Sequence, residues 1–326
     1  MLRWVALLAC TALIGAHPFD SAQLQDVVDP QVAALVAPSE IDPALLETLE
    51  LSPHDERMAV SVTIGDNDDY RFVIDTGAER TVISRELADR LALSAGPRVN
   101  LVSLSGRSQV STVQVPALRF GRKRDSRTVM APALAYRHLG ASGLLGVDLL
   151  DGHKVSIDVD NRRMLVQPSR RSSRVLAGRR DANEIVVRAA SRLGQLIVTD
   201  ADYRGTRIRV VIDTGSGLTI GNMAMRRLVG SRGKPLGRIP ITSVTGQQVM
   251  AEFHQVDRFR LGGMQISNAP MAFGDLAPFH TLGLDDIPAM LLGMDAFRTF
   301  RRVDIDFANR HIRFELRSDG IGLRML

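Results

Sequence analysis

Two aspartates in the same local setting carry the strongest chemical signal in the chain. Arg71-Phe72-Val73-Ile74-Asp75-Thr76-Gly77-Ala78 returns as Arg209-Val210-Val211-Ile212-Asp213-Thr214-Gly215-Ser216. In each copy an apolar run ends in a carboxylate, followed by a hydroxyl and a glycine. Paired carboxylates can activate a water: one takes its proton as general base, the other gives a proton to a polarised oxygen. Held a few ångströms apart they cannot both ionise, so they share one proton and offer both functions together. Such a pair titrates as a unit. A glycine two residues after the acid lets the backbone turn sharply and approach its partner. A single Asp-Thr-Gly would mean little, because a given tripeptide arises by chance about once in several thousand positions and this one suits an ordinary turn.

The repeat extends well beyond the tripeptide, and it defines the elements that must position it. Leu101-Val102-Ser103-Leu104-Ser105-Gly106 returns as Ile241-Thr242-Ser243-Val244-Thr245-Gly246, and Leu144-Leu145-Gly146-Val147-Asp148 as Leu291-Leu292-Gly293-Met294-Asp295. The intervals from aspartate to Gly106 or Gly246 are 31 and 33 residues. A further strand pair, Val155 to Arg162 and Val303 to Arg310, closes each copy. Val60 to Ile64 and Leu196 to Thr199 read as strands, and the apolar runs before each aspartate as strands buried on both faces. Ser84 to Leu91 and Met223 to Val229 are the helical candidates. Ser103 to Val110 and Ser243 to Val249 read as polar hairpin tips. Ser- and Arg-rich 169–182 reads as a linker. The fold class is therefore all-β, a tandem duplication with lobes at 55–168 and 183–326.

The composition fits this division. A chain of 326 residues exceeds one ordinary core. Hydrophobic content of 45% and charged content of 24% exclude a disordered or fibrous chain. The single cysteine, Cys10, excludes a disulfide framework, a Cys-ligated zinc site or a cysteine nucleophile in the body. Seven scattered histidines argue against a histidine-built metal site, so no metal and no cofactor is expected. Residues 1–16, with Arg3, an apolar run and Ile14-Gly15-Ala16, read as a secretory signal peptide too short to span a bilayer, which places the protein in a periplasm or outside the cell. Leu7-Leu8-Ala9-Cys10 has the form of a lipid-attachment box, but the residues before it leave little room for a signal. Residues 17–54 hold seven acids and no Lys or Arg, whereas the body from Asp55 carries 29 acidic and 40 basic residues. Opposite charge gives the leader the character of a pro-segment. The arginines alternate with apolar strand residues and lack interleaved aromatics, so neither nucleic-acid binding nor a membrane span is expected.

The twin Asp-Thr-Gly segments, each answered by an apolar-apolar-Gly, resemble aspartic proteases of the retropepsin/pepsin type. They are most similar to bacterial exported proteins in which two retropepsin-like repeats are fused. The resemblance covers nearly the whole chain after the leader. It implies two β-barrel lobes related by a pseudo-two-fold, with the active site between them and a peptide or protein segment as substrate. It makes Asp75 and Asp213 the catalytic residues, and Thr76 and Thr214 a cross-bonded support under them. Gly77, Ala78, Gly215 and Ser216 would complete the two loops. Leu145-Gly146 and Leu292-Gly293 would buttress those loops, and Gly106 and Gly246 would lie in flaps closing over the substrate. The chain would act as a monomer, an internal pseudo-dimer.

Several features qualify that picture. Neither flap tip contains a tyrosine, unlike the pepsins. Ala78 faces Ser216 across the repeat, and a Ser216 hydroxyl bonded to the outer oxygen of Asp213 would make that aspartate the more easily ionised. Gly215-Ser216-Gly217 lacks the spacing of a dinucleotide loop, and neither a Gly-x-Ser-x-Gly elbow nor a phosphate loop occurs. Asp148, Asp158, Asp160, Asp295, Asp304 and Asp306 read as solvated strand faces and turns rather than calcium ligands. Glu79 and Arg80 read as local surface charges. Three arrangements follow: an aspartic endopeptidase, an idle peptide-binding protein on the same scaffold, or a dyad formed in trans between two chains.

Overall fold

The computed structural model describes residues 6–7, 57–120, 126–161, 163–170, 184–317 and 323–325. The expected leader and most of the linker lie outside them, as does the expected signal peptide except for the short strand Ala6–Leu7.

In the first lobe six strands close into a barrel, in the order Ala59–Ile64, Asn67–Ile74, Gly143–Leu145, Val82–Ser84, Arg127–Leu134 and Thr112–Phe120. Val60, Val62, Ile64, Phe72, Ile74, Val115, Leu118 and Ala131 point into its core. Closure leaves no free sheet edge. Two of the pairings are parallel, Phe72–Ile74 with Gly143–Leu145 and Ile83–Ser84 with Ala133–Leu134. Strands flanked in this way must be apolar throughout, which is why the run before Asp75 shows no alternation.

The second lobe repeats the series with Gln195–Val198, Arg209–Ile212, Ala289–Leu292, Ile220–Gly221, Met264–Phe273 and Gln248–Leu261. Its first strand is split: Ile197–Val198 pairs with Val210–Val211, while Ala201–Asp202 pairs with Arg260–Leu261. The barrel is therefore interrupted where the first lobe's is continuous.

Both expected helices form. Arg85–Arg90 starts at Ser84, whose hydroxyl accepts the Leu87 N–H, and Met223–Val229 starts at Asn222, whose side chain accepts the Met225 N–H. The four- to six-residue helices Tyr136–Leu139, Val147–Leu150, Ala277–Leu282 and Met294–Phe297 are too short to leave a periodic signature in the sequence.

One sheet joins the lobes below the site. His153–Asp158 pairs antiparallel with Phe300–Asp306, so that Ser156 lies opposite Asp304, residues at the same place in the two repeats. A two-fold through this pair maps one repeat onto the other. Asp304 is buried here rather than solvated: Lys154 Nζ stands 2.8 Å and Arg302 Nε 3.0 Å from its oxygens. The turns are as expected, with Asp158 accepting the Asn161 N–H and Asp306 the Asn309 N–H. No helix among the described residues is long and apolar enough to cross a membrane.

Candidate active site

Each aspartate loop leaves a strand whose last three residues are buried. Phe72–Ile74 and Val210–Ile212 are enclosed by core, and the Asp75 and Asp213 N–H groups donate to Leu145 and Leu292 carbonyls at 2.9 and 3.1 Å. The buttress residues therefore hold the aspartate backbones directly. Gly146 and Gly293 are obligatory, because a Cβ on Gly146 would lie 2.7 Å from the Arg80 carbonyl oxygen and one on Gly293 2.5 Å from that of Leu218.

The threonines lock the lobes together. The Thr76 hydroxyl donates to the Ile212 carbonyl at 2.8 Å and accepts the Thr214 N–H at 3.0 Å. The Thr214 hydroxyl donates to the Ile74 carbonyl at 2.7 Å and accepts the Thr76 N–H at 3.2 Å. Each loop thus satisfies buried backbone groups of the other.

Above this lock the carboxylates meet. Gly77 N–H donates to Asp75 Oδ1 at 2.9 Å, and Gly215 and Ser216 N–H groups donate to Asp213 Oδ1 at 3.1 and 3.2 Å. A Cβ on Gly77 would stand 2.7 Å from Asp213 Oδ1, and one on Gly215 2.5 Å from both oxygens of Asp75. Each carboxylate rests on the glycine of the opposite loop, a contact only glycine permits. Asp75 is 0% and Asp213 1% exposed. Burial first, and then the charge of Asp75, push the Asp213 carboxyl well above the usual range, while the Gly215 and Ser216 amides pull the other way.

The Ser216 side chain does not take its expected place on Asp213. Its hydroxyl donates to the Leu218 carbonyl at 2.7 Å and accepts the Leu218 N–H at 3.3 Å, and only its backbone N–H reaches Asp213. The tight turn at 216–218 claims the side chain, so it does not favour an ionised Asp213.

A second pair of acids supports the loops. Asp148 Oδ1 accepts both the N–H and hydroxyl of Thr81, whose Oγ1 accepts the Gly146 N–H at 3.2 Å. In the second lobe Asp295 accepts the Thr219 N–H on Oδ2 and its hydroxyl on Oδ1, and Thr219 Oγ1 accepts the Gly293 N–H at 3.1 Å. Burial raises both acids, with the threonine hydrogen bonds opposing it. These are struts rather than solvated turn residues. The signal was available in the sequence, since Thr81 and Thr219 recur at one offset after the aspartates, as Asp148 and Asp295 do after the buttress leucines. Gln195 was also missed: buried in the second lobe, it donates its side-chain amide to the Gly77 carbonyl.

The flaps are closed and exchanged. Val99–Ser103 pairs with Gly106–Val110, and Lys234–Thr242 with the start of Gln248–Leu261. Gly106 and Gly246 turn with φ of 126° and 86°. Leu104, 1% exposed, packs into the second lobe's cluster with Leu276 and Phe279, and Val244, also 1% exposed, into the first lobe's with Leu134 and Leu139. Ser105 Oγ donates to Gln247 Oε1 at 2.7 Å and lies 3.0 Å from Ser243 Oγ. Glu79, expected at the surface, has its Oε2 buried.

A scan against protein-family models matches the Aspartyl protease family twice, over residues 60–149 and 199–296, together more than half of the chain. A search of curated proteins finds no match. The two matched segments each carry one aspartate of the dyad, one cross-bonded threonine and one buttress, and the chain belongs to the aspartyl protease family.

Proposed function

We propose that the protein is an aspartic endopeptidase that hydrolyses a bond of an extended peptide through a water activated by Asp75 and Asp213. The observation that carries this reading is the reciprocal threonine lock with each carboxylate seated on the opposite loop's glycine. A pair held so closely retains one proton. The ionised member takes a proton from water as its oxygen attacks the scissile carbonyl carbon, and the protonated member gives its proton to the carbonyl oxygen. Collapse of the tetrahedral diol breaks the C–N bond: the newly protonated aspartate gives its proton to the departing amine while the other takes one from a diol hydroxyl, so that an acid and an amine leave and the dyad keeps a single proton. The two polar flaps part to admit the segment and then pair with its backbone as added strands. The chain acts as a monomer with its dyad formed in cis, in a periplasm or outside the cell after export by residues 1–16, and residues 17–54 serve as its pro-segment.

Mass-spectrometric cleavage profiling of a peptide library tests this, with residues 17–326 beside the Asp75→Asn and Asp213→Asn variants. Cleavage by the wild type that either substitution abolishes is the expected result. Intact peptides that nevertheless bind would replace the reading with an idle peptide-binding protein.

A further inference from the structure

The two aspartate loops share most of their bonds. Gly77 and Gly215 N–H groups donate to their own aspartates. Ala78 N–H donates to the Asp75 carbonyl at 3.2 Å, and Ser216 N–H to that of Asp213 at 3.4 Å. The Ala78 and Ser216 carbonyls accept the Val147 and Met294 N–H groups at 2.9 and 2.8 Å. The Gly77 carbonyl differs, because a side chain of the other lobe claims it, the amide of Gln195. Strand register identifies the corresponding residue of the first lobe. Ala59 lies opposite Val73 and Ile197 opposite Val211, valines two residues before each aspartate, so Arg57 corresponds to Gln195. Arg57 donates to the Leu139 carbonyl of its own lobe, at 2.5 Å.

This difference accompanies a second one, Ala78 against Ser216. Each loop needs its glycine because the opposite carboxylate rests on it, yet glycine leaves the backbone its widest freedom. In the second lobe Ser216 curbs that freedom: its hydroxyl, bonded to both backbone groups of Leu218, closes a turn directly after Gly215. Ala78 has no hydroxyl, and Gln195 supplies the restraint from outside. With its N–H on Asp75 Oδ1 and its carbonyl on Gln195, Gly77 is held on both sides. Gly194, with φ of 82°, sets Gln195 in place. A Cβ on Gly194 would stand 2.5 Å from Val147 Cγ2, so the turn before Gln195 presses on the first lobe beside the Gly146 buttress. Gln195 is buried, and its Oε1 has no hydrogen-bond partner among the described residues. An apolar side chain would fill the place without leaving an acceptor unpaired, so packing does not account for an amide here, whereas the N–H it delivers does.

We infer that Gln195 is a positioning residue of the dyad: from the second lobe it fixes the Gly77 peptide and thereby holds Asp75 against Asp213. Its effect on turnover rests on the endopeptidase reading, whereas its effect on the carboxylate pair does not.

Steady-state kinetics of the full chain on a peptide it cleaves, with Gln195→Met and Gln195→Glu alongside, test the role in turnover. Methionine keeps the length without the donor, so kcat per folded molecule should fall about ten- to hundredfold with KM nearly unchanged, a loss of geometry rather than of binding. Glutamate can donate to the Gly77 carbonyl only while protonated. Its kcat should match the wild type in acid and fall towards that of the methionine variant as pH rises. Methionine and glutamate variants that track each other at every pH overturn the inference. So does a methionine variant that melts lower but keeps its kcat per folded molecule, which would make Gln195 merely structural. Carbon-13 NMR of the aspartate carboxyls reads the pair without any substrate. Carboxylates held less closely repel less, so in Gln195→Met the pair should release its shared proton at lower pH than in the wild type. That shift in a protein that cleaves no peptide retains the positioning role and sinks the endopeptidase. Identical titrations overturn the role whatever the protein cleaves.

Discussion

Asp213 binds a proton more tightly in the folded protein than in the unfolded chain, because burial and the facing Asp75 both penalise its charge. The native state therefore keeps a proton that the unfolded chain releases near pH 3.9, the ordinary value for aspartate. Stability linked to this group is complete below that pH and is lost as pH rises towards the native value. Asp213→Asn keeps the shape and removes the charge. It should raise the melting temperature at neutral pH, by about 2–4 °C per kcal/mol recovered, while lowering cleavage about a hundred- to ten-thousandfold. A variant that melts below wild type at neutral pH, or that cleaves as fast, would contradict this account. The threonines beneath respond differently. Thr214→Val strands the Ile74 carbonyl and the Thr76 N–H, at about 1–3 kcal/mol for each unpaired group. Thr214→Ser should restore most of that loss in a thermal melt, because the hydroxyl rather than the methyl makes both bonds.

In the proposed enzyme the two hairpins 99–110 and 234–254 would control access to the aspartates. Leu104 and Val244 each leave their own lobe and pack in the other, so the closed state is held by exchanged apolar contacts and a hydroxyl ladder. Leu104→Ala removes a buried side chain and should weaken closure by about 2 kcal/mol or more. The opening is local, so the loss should be seen as roughly thirtyfold faster amide exchange across 99–110, with little change in the global melt. Unchanged exchange in that hairpin would show that the exchanged contact does not hold it. This feature lay beyond the reach of the sequence. The repeat reveals both hairpin tips through Gly106 and Gly246, but which lobe receives Leu104 depends on how the lobes face each other. The dyad was legible for the opposite reason: Asp75 and Asp213 are marked by strands whose burial leaves continuous apolar runs. Ser216 was misread because its partner, the Leu218 carbonyl, is set by a turn two residues long. Asp148, Asp295 and Asp304 alternate with apolar residues as solvated acids do, and their burial comes only from packing around them.

The juxtaposition of Asp75 and Asp213 is a property of both lobes together, and the sheet beneath them bears on it. Asp304 sits where the two repeats meet, and its environment runs against that of the dyad. Burial would raise its carboxyl, but Lys154 and Arg302 outweigh burial and hold it below the ordinary value. A depressed native pKa contributes stability that is present above the unfolded value of about 3.9 and is lost as pH falls through the native one. Acid therefore loosens the joint between the lobes over the same range in which it leaves the dyad protonated. Asp304→Asn keeps the volume and leaves two cations facing a neutral amide. Both cations are partly solvated, so the loss should be about 1–3 kcal/mol at neutral pH rather than the larger cost of a fully buried pair. Melting curves of the two proteins from acidic to neutral pH provide the test. The gap between them should be widest at neutral pH and close as Asp304 becomes protonated in the wild type. A gap that stays constant with pH would mean that packing at Asp304, and not its charge, joins the two halves of the site.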